Sequence, residues 1–362
     1  MLNPTMYFSH NKRRGLMIVA ILATATFCLS FVAGLVHSVG ATGMDANTSA
    51  LRSFSLVKFG GPDMDQGPSV LAALPDVGDI LPAEVTNTSI TTILGTVSTW
   101  IVLIGNQSDL SEIVSKSGLQ VDPALVASVG DHQLLLHADI VKNKKMSVGD
   151  QMGTFTLAGI FTGDAKLGVG LVSPDELTSS WTNDGAWFVV FPTGDGLDAL
   201  NTSLDTLPDG NWTVESLSTM TVEINKDMAS INEILTLVMV MIALCVAIAT
   251  AALVYTVYSG RYDEFAILNA IGYGKPQVRT LIAEETAIVA VISWIIGYGL
   301  SLVGLVIVNV SVYAGMGQSM PIVVPQGLLY TLFIPVLVVL FGVVPVLHTL
   351  SRTDLVSVIE RR

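Results

Sequence analysis

Few residues in this chain are spaced for chemistry. His132 and His137 are the nearest histidine pair, inside the stretch Asp131–Asp139. In a strand, side chains alternate between faces, so residues five apart point opposite ways and cannot share a metal. Gly272, Gly274 and Lys275 put glycines beside a lysine, yet they lack the spacing and the Ser/Thr of a phosphate-binding loop. No Ser/His/Asp or Cys/His arrangement is supported. The expectation is a chain with no catalytic residue, no metal site and no cofactor of its own. The informative stretch is Arg261–Arg279. Phe265, Leu268 and Ile271, with Ile267, recur at helical spacing on one side, while Tyr262, Asp263 and Asn269 occupy much of the rest. This predicts a short amphipathic helix stopped by Gly272. Such a helix can dock its apolar face in a groove on a partner. An interfacial helix that merely ends a membrane span has the same pattern.

Two apolar stretches flank these residues. Apolar residues make up 51% of the chain and charged residues 13%, against about 25% charged in soluble proteins. Mean hydropathy is +0.63. No Asp, Glu, Lys or Arg lies between Arg14 and Asp45, between Glu233 and Arg261, or from Thr286 to Ser351. Crossing about 30 Å of hydrocarbon takes roughly 20 apolar residues. The first two stretches each fit one helix; the third fits two, broken by Gly315, Gly317, Pro321 and Pro325. The fold class expected is membrane α-helical, with four transmembrane helices at 15–39, 231–258, 284–311 and 327–350. An extracytoplasmic α+β domain, 40–230, is inserted between helices 1 and 2. An N-terminal segment 1–14, a loop 259–283, a short outer loop 312–326 and a tail 351–362 complete the chain.

Charge sets the orientation. The net charge is −13, and Gly40–Ile231 carries 23 acidic against 8 basic residues. Lys12, Arg13 and Arg14 precede the first span, Arg261, Lys275 and Arg279 lie between the second and third, and Arg352, Arg361 and Arg362 follow the fourth. The loop Val312–Gln326 has no charge. Basic flanks stay in the cytoplasm, so both termini are expected inside and the large domain outside, in a multi-pass protein of the bacterial plasma membrane in contact with its lipid. A cleavable signal peptide shares the order of basic residues and apolar run, but Leu16–Val36 exceeds the usual core of about 7–15 residues. The acidic surface excludes nucleic acid as a partner. Cys28 and Cys245 fall inside spans and read as small apolar packers; the large domain has no cysteine and so no disulfide.

Within the large domain, Ser98–Gly105, Gln133–His137, Phe155–Phe161 and Trp187–Phe191 read as strands. Helices are expected near Pro68–Ala73, Pro123–Ser128, Pro174–Thr178 and Gly196–Thr206, the third started by Ser173, Pro174 and two acids. Nothing from Thr221 to Tyr258 is Pro or Gly, so one helix is expected from near Ser218 through the second span.

The run Arg261-x-x-Glu264-Phe265-Ala266-Ile267-Leu268-Asn269-Ala270-Ile271-Gly272, the following Ala283-Glu284-Glu285, and Gly297, Gly299 and Gly304 resemble the FtsX-like permease module of ABC exporters. Pro345, Ser351, Arg352, Asp354, Val356, Val358, Ile359 and Glu360 resemble its C-terminal signature. Leu74–Val77, Val148–Asp150 and Phe155–Ile160 resemble the periplasmic core domain of the related MacB-like permeases, and the compact four-span layout is similar to haem-efflux and DevC-like permeases. The resemblance implies a permease homodimer or a paired permease served by a separate ABC ATPase subunit, which holds the ATP and Mg. It implies that the helix of Arg261, Glu264, Phe265, Leu268, Ala270, Ile271 and Gly272 couples to that ATPase. Tyr262 and Asp263 make this helix less basic than the family pattern. Met220, Met228, Met239 and Met241 are candidates for a hydrophobic substrate path, methionines at such places being more often core packing. The function expected is ATP-driven efflux or extraction of a lipophilic or amphipathic molecule at the outer leaflet. The alternatives are an FtsX-like mechanotransmitter that regulates an extracellular partner, and a membrane-anchored sensor or adhesion protein.

Overall fold

A computed structural model describes residues 12–61, 66–92, 95–194, 196–208, 210–323 and 325–352. The C-terminal signature residues Asp354 to Glu360 lie outside them. The chain divides into two units, Ser38–Ala229 with Val310–Met320, and Met1–His37 with Ser230–Asn309 and Pro321–Arg362. Helix α1, Lys12–Thr48, begins in the second unit and ends in the first.

The sheet unit contains β1 (Ser55–Phe59), α2 (Gln66–Ala72), β2 (Val77–Thr92), β3 (Gly95–Ile104), α3 (Gln107–Lys116), α4 (Pro123–Ser128), β4 (Gln133–His137) and α5 (Ala138–Lys144). Then come β5 (Gln151–Met152), β6 (Phe155–Phe161), β7 (Gly168–Leu171), α6 (Pro174–Asp184), β8 (Ala186–Pro192), α7 (Leu197–Leu204) and β9 (Trp212–Glu215). Among the described residues these strands form one sheet, in the order β5-β6-β4-β7-β3-β2-β8-β1-β9. The β3–β7 and β4–β6 pairs are parallel. Both faces are covered. The two-residue period sends Leu56, Val189 and Phe191 to one side, with Leu51 and Leu110, and Val57, Phe188 and Val190 to the other, with Leu71, Leu200 and Leu204. That double burial is why β8 reads as an unbroken apolar run.

Three expected strands match β4, β6 and β8 closely, and the fourth is the last two thirds of β3. β7 was not expected, because Gly168 and Gly170 look like turn residues. The structure gives them another reason: a Cβ on Gly170 would lie 2.4 Å from the Leu134 side chain and 2.6 Å from the Gln133 carbonyl oxygen. The starts of α3 and α4 are fixed by side-chain caps, Asn106 accepting from the Asp109 N–H and Asp122 from the Ala124 N–H, both at 2.9 Å.

The sheet unit also claims residues expected at the end of the third span and in the short outer loop. A π-helical turn, Asn309–Tyr313, and a 3₁₀ turn, Ala314–Met316, follow the third long helix. The Tyr313 hydroxyl lies 2.7 Å from that of Ser38, Asn143 donates to the Met316 carbonyl at 3.1 Å, and Gln318 to the Thr91 carbonyl at 2.9 Å.

The helical unit holds most of α8 (Leu217–Ser259), then α9 (Tyr262–Ala270), α10 (Lys275–Val308) and α11 (Pro325–Arg352). Helix α8 runs unbroken for 43 residues, as the lack of Pro and Gly predicts. Among the described residues, three stretches are long and apolar enough to cross a membrane: Gly15–Thr48, Thr236–Ser259 and Lys275–Met316. Helix α11 carries a shorter apolar stretch, Thr331–Val346. Small residues let α1 and α10 approach closely. A Cβ on Gly297 would come within 2.4 Å of the Ala23 carbonyl oxygen, and the Ser301 hydroxyl donates to that of Ser30 at 2.7 Å. Large apolar side chains such as Leu237, Ile295, Leu300, Phe333 and Leu340 point outward, as lipid in place of water demands. Cys28 and Cys245 are exposed on this surface rather than packed inside.

Candidate functional site

The residues between α8 and α10 build a compact site. The chain leaves α8 through Ser259 and Gly260, turns at Arg261, forms the nine-residue α9, and stops at Gly272. Gly272 has φ +107, a conformation that glycine adopts without strain. The Gly272 N–H donates to Asn269 O and the Tyr273 N–H to Leu268 O, closing the end of the helix. Pro276 then opens α10, and the Gln277 side chain accepts from the Gly274 N–H at 2.9 Å.

Arg261 is the centre of the site. It is only 5% exposed, and its Nη1 donates to Glu285 Oε2 at 2.6 Å. Its Nε donates to Glu264 Oε2 at 2.9 Å. Glu285, on α10, is 2% exposed. The Tyr258 hydroxyl lies 3.3 Å from the same Glu285 oxygen and 3.1 Å from the Thr286 hydroxyl. The guanidinium carbon also sits 5.3 Å from the Tyr258 ring centre and 5.1 Å from that of Phe265. Burial works against the Arg261 charge, but the bonds to Glu285 and Glu264 outweigh it, so its pKa stands above the ordinary arginine value. Around the ions, Val254, Tyr258, Phe265, Ala266, Val278, Ile282, Val343 and Val346 pack into one apolar cluster. A buried pair of this kind is costly to assemble and costlier to halve: losing one partner strands the other charge at about 3–5 kcal/mol.

The expected coupling residues are all here, but their faces differ from the sequence reading. Phe265 is fully buried and Leu268 partly, while Ile267 is 54% and Ile271 70% exposed. Ala266 joins Phe265 on the inner side. The four apolar residues expected on one face are therefore divided, because α9 packs by Phe265 and Ala266 and turns Ile267, Ala270 and Ile271 outward beside Asp263 and Glu264. Glu285 was quoted in the motif but given no role. The signal that marks it is its place as the last charge before the charge-free run from Thr286, where a charge needs a partner.

The methionines do not converge. Met220 packs against the core of the sheet unit. The Met228 side chain lies outside the described residues. Met239 is buried against Leu29 and lines an apolar cavity of about 320 Å³ with Val240, Ala243, Phe333 and Leu337. Met241 points outward. Among the described residues no cluster of His, Cys, Asp and Glu could hold a metal ion.

Residues 236–353 match the family model described as FtsX-like permease C-terminal. This part of the chain is similar to the family that the Arg261–Gly272 stretch resembles. No curated protein matches the chain. Solved structures similar to part of it include two extracytoplasmic domains. One is the periplasmic region of MacB from Actinobacillus actinomycetemcomitans, at 11% identity over 49% of this chain and 96% of that one, with a TM-score of 0.28. The other is the extracellular domain of the noncanonic ABC-type transporter YknZ from Gram-positive bacteria, at 11% identity over 45% and 99%, with a TM-score of 0.24. The assignment rests on the family match.

Proposed function

We propose that this protein is the permease subunit of an ABC-type export system, driven by a separate ATPase that binds ATP and Mg. The observation that carries the reading is the outward apolar pair Ile267 and Ile271 on a short helix held from behind by a buried ion pair, inside the FtsX-like segment. An exposed apolar pair rimmed by carboxylates fits a protein groove with an apolar floor and basic edge. Four crossings put both termini and α9 in the cytoplasm and the sheet unit outside, in accord with the basic flanks. Helix α8 runs from the sheet unit to the turn before α9. The cargo is lipophilic or amphipathic, a reading supported by the cavity beside Met239, which is lined by apolar side chains. The permease works as a dimer or with a second permease.

Co-expression with candidate ABC ATPases tests this. The native chain retains one ATPase through purification, and Ile267→Asp and Ile271→Asp each lose it while eluting as the native chain does. If no ATPase is retained, or both variants retain it unchanged, the reading is wrong.

A further inference from the structure

Arg261 serves two carboxylates that differ in one respect. Glu264 rides on α9, three residues away, and is half exposed. Glu285 belongs to α10 and is buried. If α9 moves off α10, Arg261 and Glu264 travel together, and what must open is the 2.6 Å bond to Glu285 along with the packing of Phe265 and Ala266 against Val278 and Ile282. The state left behind is provided for. Glu285 still has the Tyr258 hydroxyl at 3.3 Å, and that hydroxyl in turn has Thr286 at 3.1 Å. Arg261 still has Glu264 and the ring of Phe265, on its own helix. Each half of the pair thus keeps a hydrogen-bond partner when their mutual bond opens: Glu264 for Arg261, and Tyr258, at the end of α8, for Glu285.

We propose that Arg261 and Glu285 form a latch between α9 and α10, closed in this structure, which opens when α9 is displaced. Both are positioning residues: they bind no cargo and no nucleotide, and they set how much of a displacement of α9 reaches the membrane helices. The role in transport rests on the reading of α9 as the ATPase contact; the latch itself does not.

The test has two arms on the full chain in lipid nanodiscs. The first needs no ATPase. A spin label is placed by Leu268→Cys, a half-buried position packed on the Phe265 cluster, in a chain carrying Cys28→Ser and Cys245→Ser, and its mobility is recorded. The latch predicts one immobile component in this background, an added mobile component in Glu285→Gln, and a return to one component in the exchange Arg261→Glu with Glu285→Arg. Where Glu285→Gln does not fold, Arg261→Lys, which loses the fixed guanidinium fork, is read in the same way. An unchanged spectrum in the neutralised variant, or an exchange that fails to restore the single component, overturns the proposal. The second arm adds the ATPase. Glu285→Gln keeps it bound, since Ile267 and Ile271 are untouched, yet the change in ATP hydrolysis rate that the native chain imposes on the bound ATPase falls about tenfold, within the range of coupling between sites. An unchanged effect on ATP hydrolysis removes the role in transport. Loss of all ATPase binding by the native chain defeats the proposed function but leaves the first arm standing.

Discussion

The two units of this chain handle charge in opposite ways. In the sheet unit the core is apolar on both faces and the ion pairs lie at or near the surface: Lys116 with Asp79 and Glu112, Arg52 with Asp45, and the half-buried Lys166 with Asp45 and Asp139. In the helical unit the outside is apolar and an ion pair is buried, Arg261 with Glu285. A surface pair is screened by water and contributes little. A buried pair has lost its water, so each partner depends on the other. The comparison teaches where a charge can act as a mechanical part. Among the described residues, it is in the helical unit that moving one side chain leaves a fully buried charge without its counter-ion.

That contrast can be broken by measurement. The largest effect is expected from Arg261→Met, which leaves Glu285 without its cation and lowers stability by about 3–5 kcal/mol. Thermal unfolding of the full chain in nanodiscs reads it. Next comes Gly170→Ala in β7, where the added Cβ meets the Gln133 backbone and the Leu134 side chain. Overpacking there costs about 1–3 kcal/mol, seen in the melting of the sheet. Asn106→Ala removes the cap of α3 and costs about 1 kcal/mol, read as a smaller shift in the same melt. Lys116→Ala cuts exposed pairs with Asp79 and Glu112 and costs less than about 1 kcal/mol. If it matches Arg261→Met in effect, the contrast between the units is false.

A pH titration sharpens the same comparison within the sheet unit. His137 is buried, its Nε2 bonded to the Gly163 carbonyl and its Nδ1 accepting from the Asp139 N–H. Both contacts suit the neutral ring. Burial pushes its pKa below the ordinary 6.5, against the pull of Asp139 and Asp45 and with the help of Lys166. The unfolded chain therefore binds the proton first. Stability from this group is full above pH 6.5 and is lost as pH falls from there toward the lower folded value. His137→Gln is expected to flatten that slope in the unfolding of the sheet, and an unchanged slope rejects the assignment.

Much of the architecture was legible in the sequence because its signals are local. Long charge-free runs mark the membrane-type helices, and bracketed apolar runs mark β4, β6 and β8 almost to the residue. Strand β7 was not legible, since two glycines signal a turn until Leu134 and Leu136 are seen pressed against them. Nor was β2, whose Gly78 and Pro82 interrupt any strand pattern. The site was half legible. Its residues lie in one stretch, so the helix and its Gly272 stop could be read. Its orientation could not, because α9 packs against Tyr258, Val278 and Ile282 in other helices. Glu285 stands 24 residues from Arg261, and no local periodicity links them.

The central claim is that the outward face of α9 meets an ATPase rather than the lipid surface. A photo-crosslinking residue in place of Ile271, activated in native membranes, tests it most directly. The account predicts a crosslinked product containing an ABC ATPase, lost when the same residue replaces the inward-facing Phe265. Crosslinks to lipid alone from the Ile271 position would contradict it.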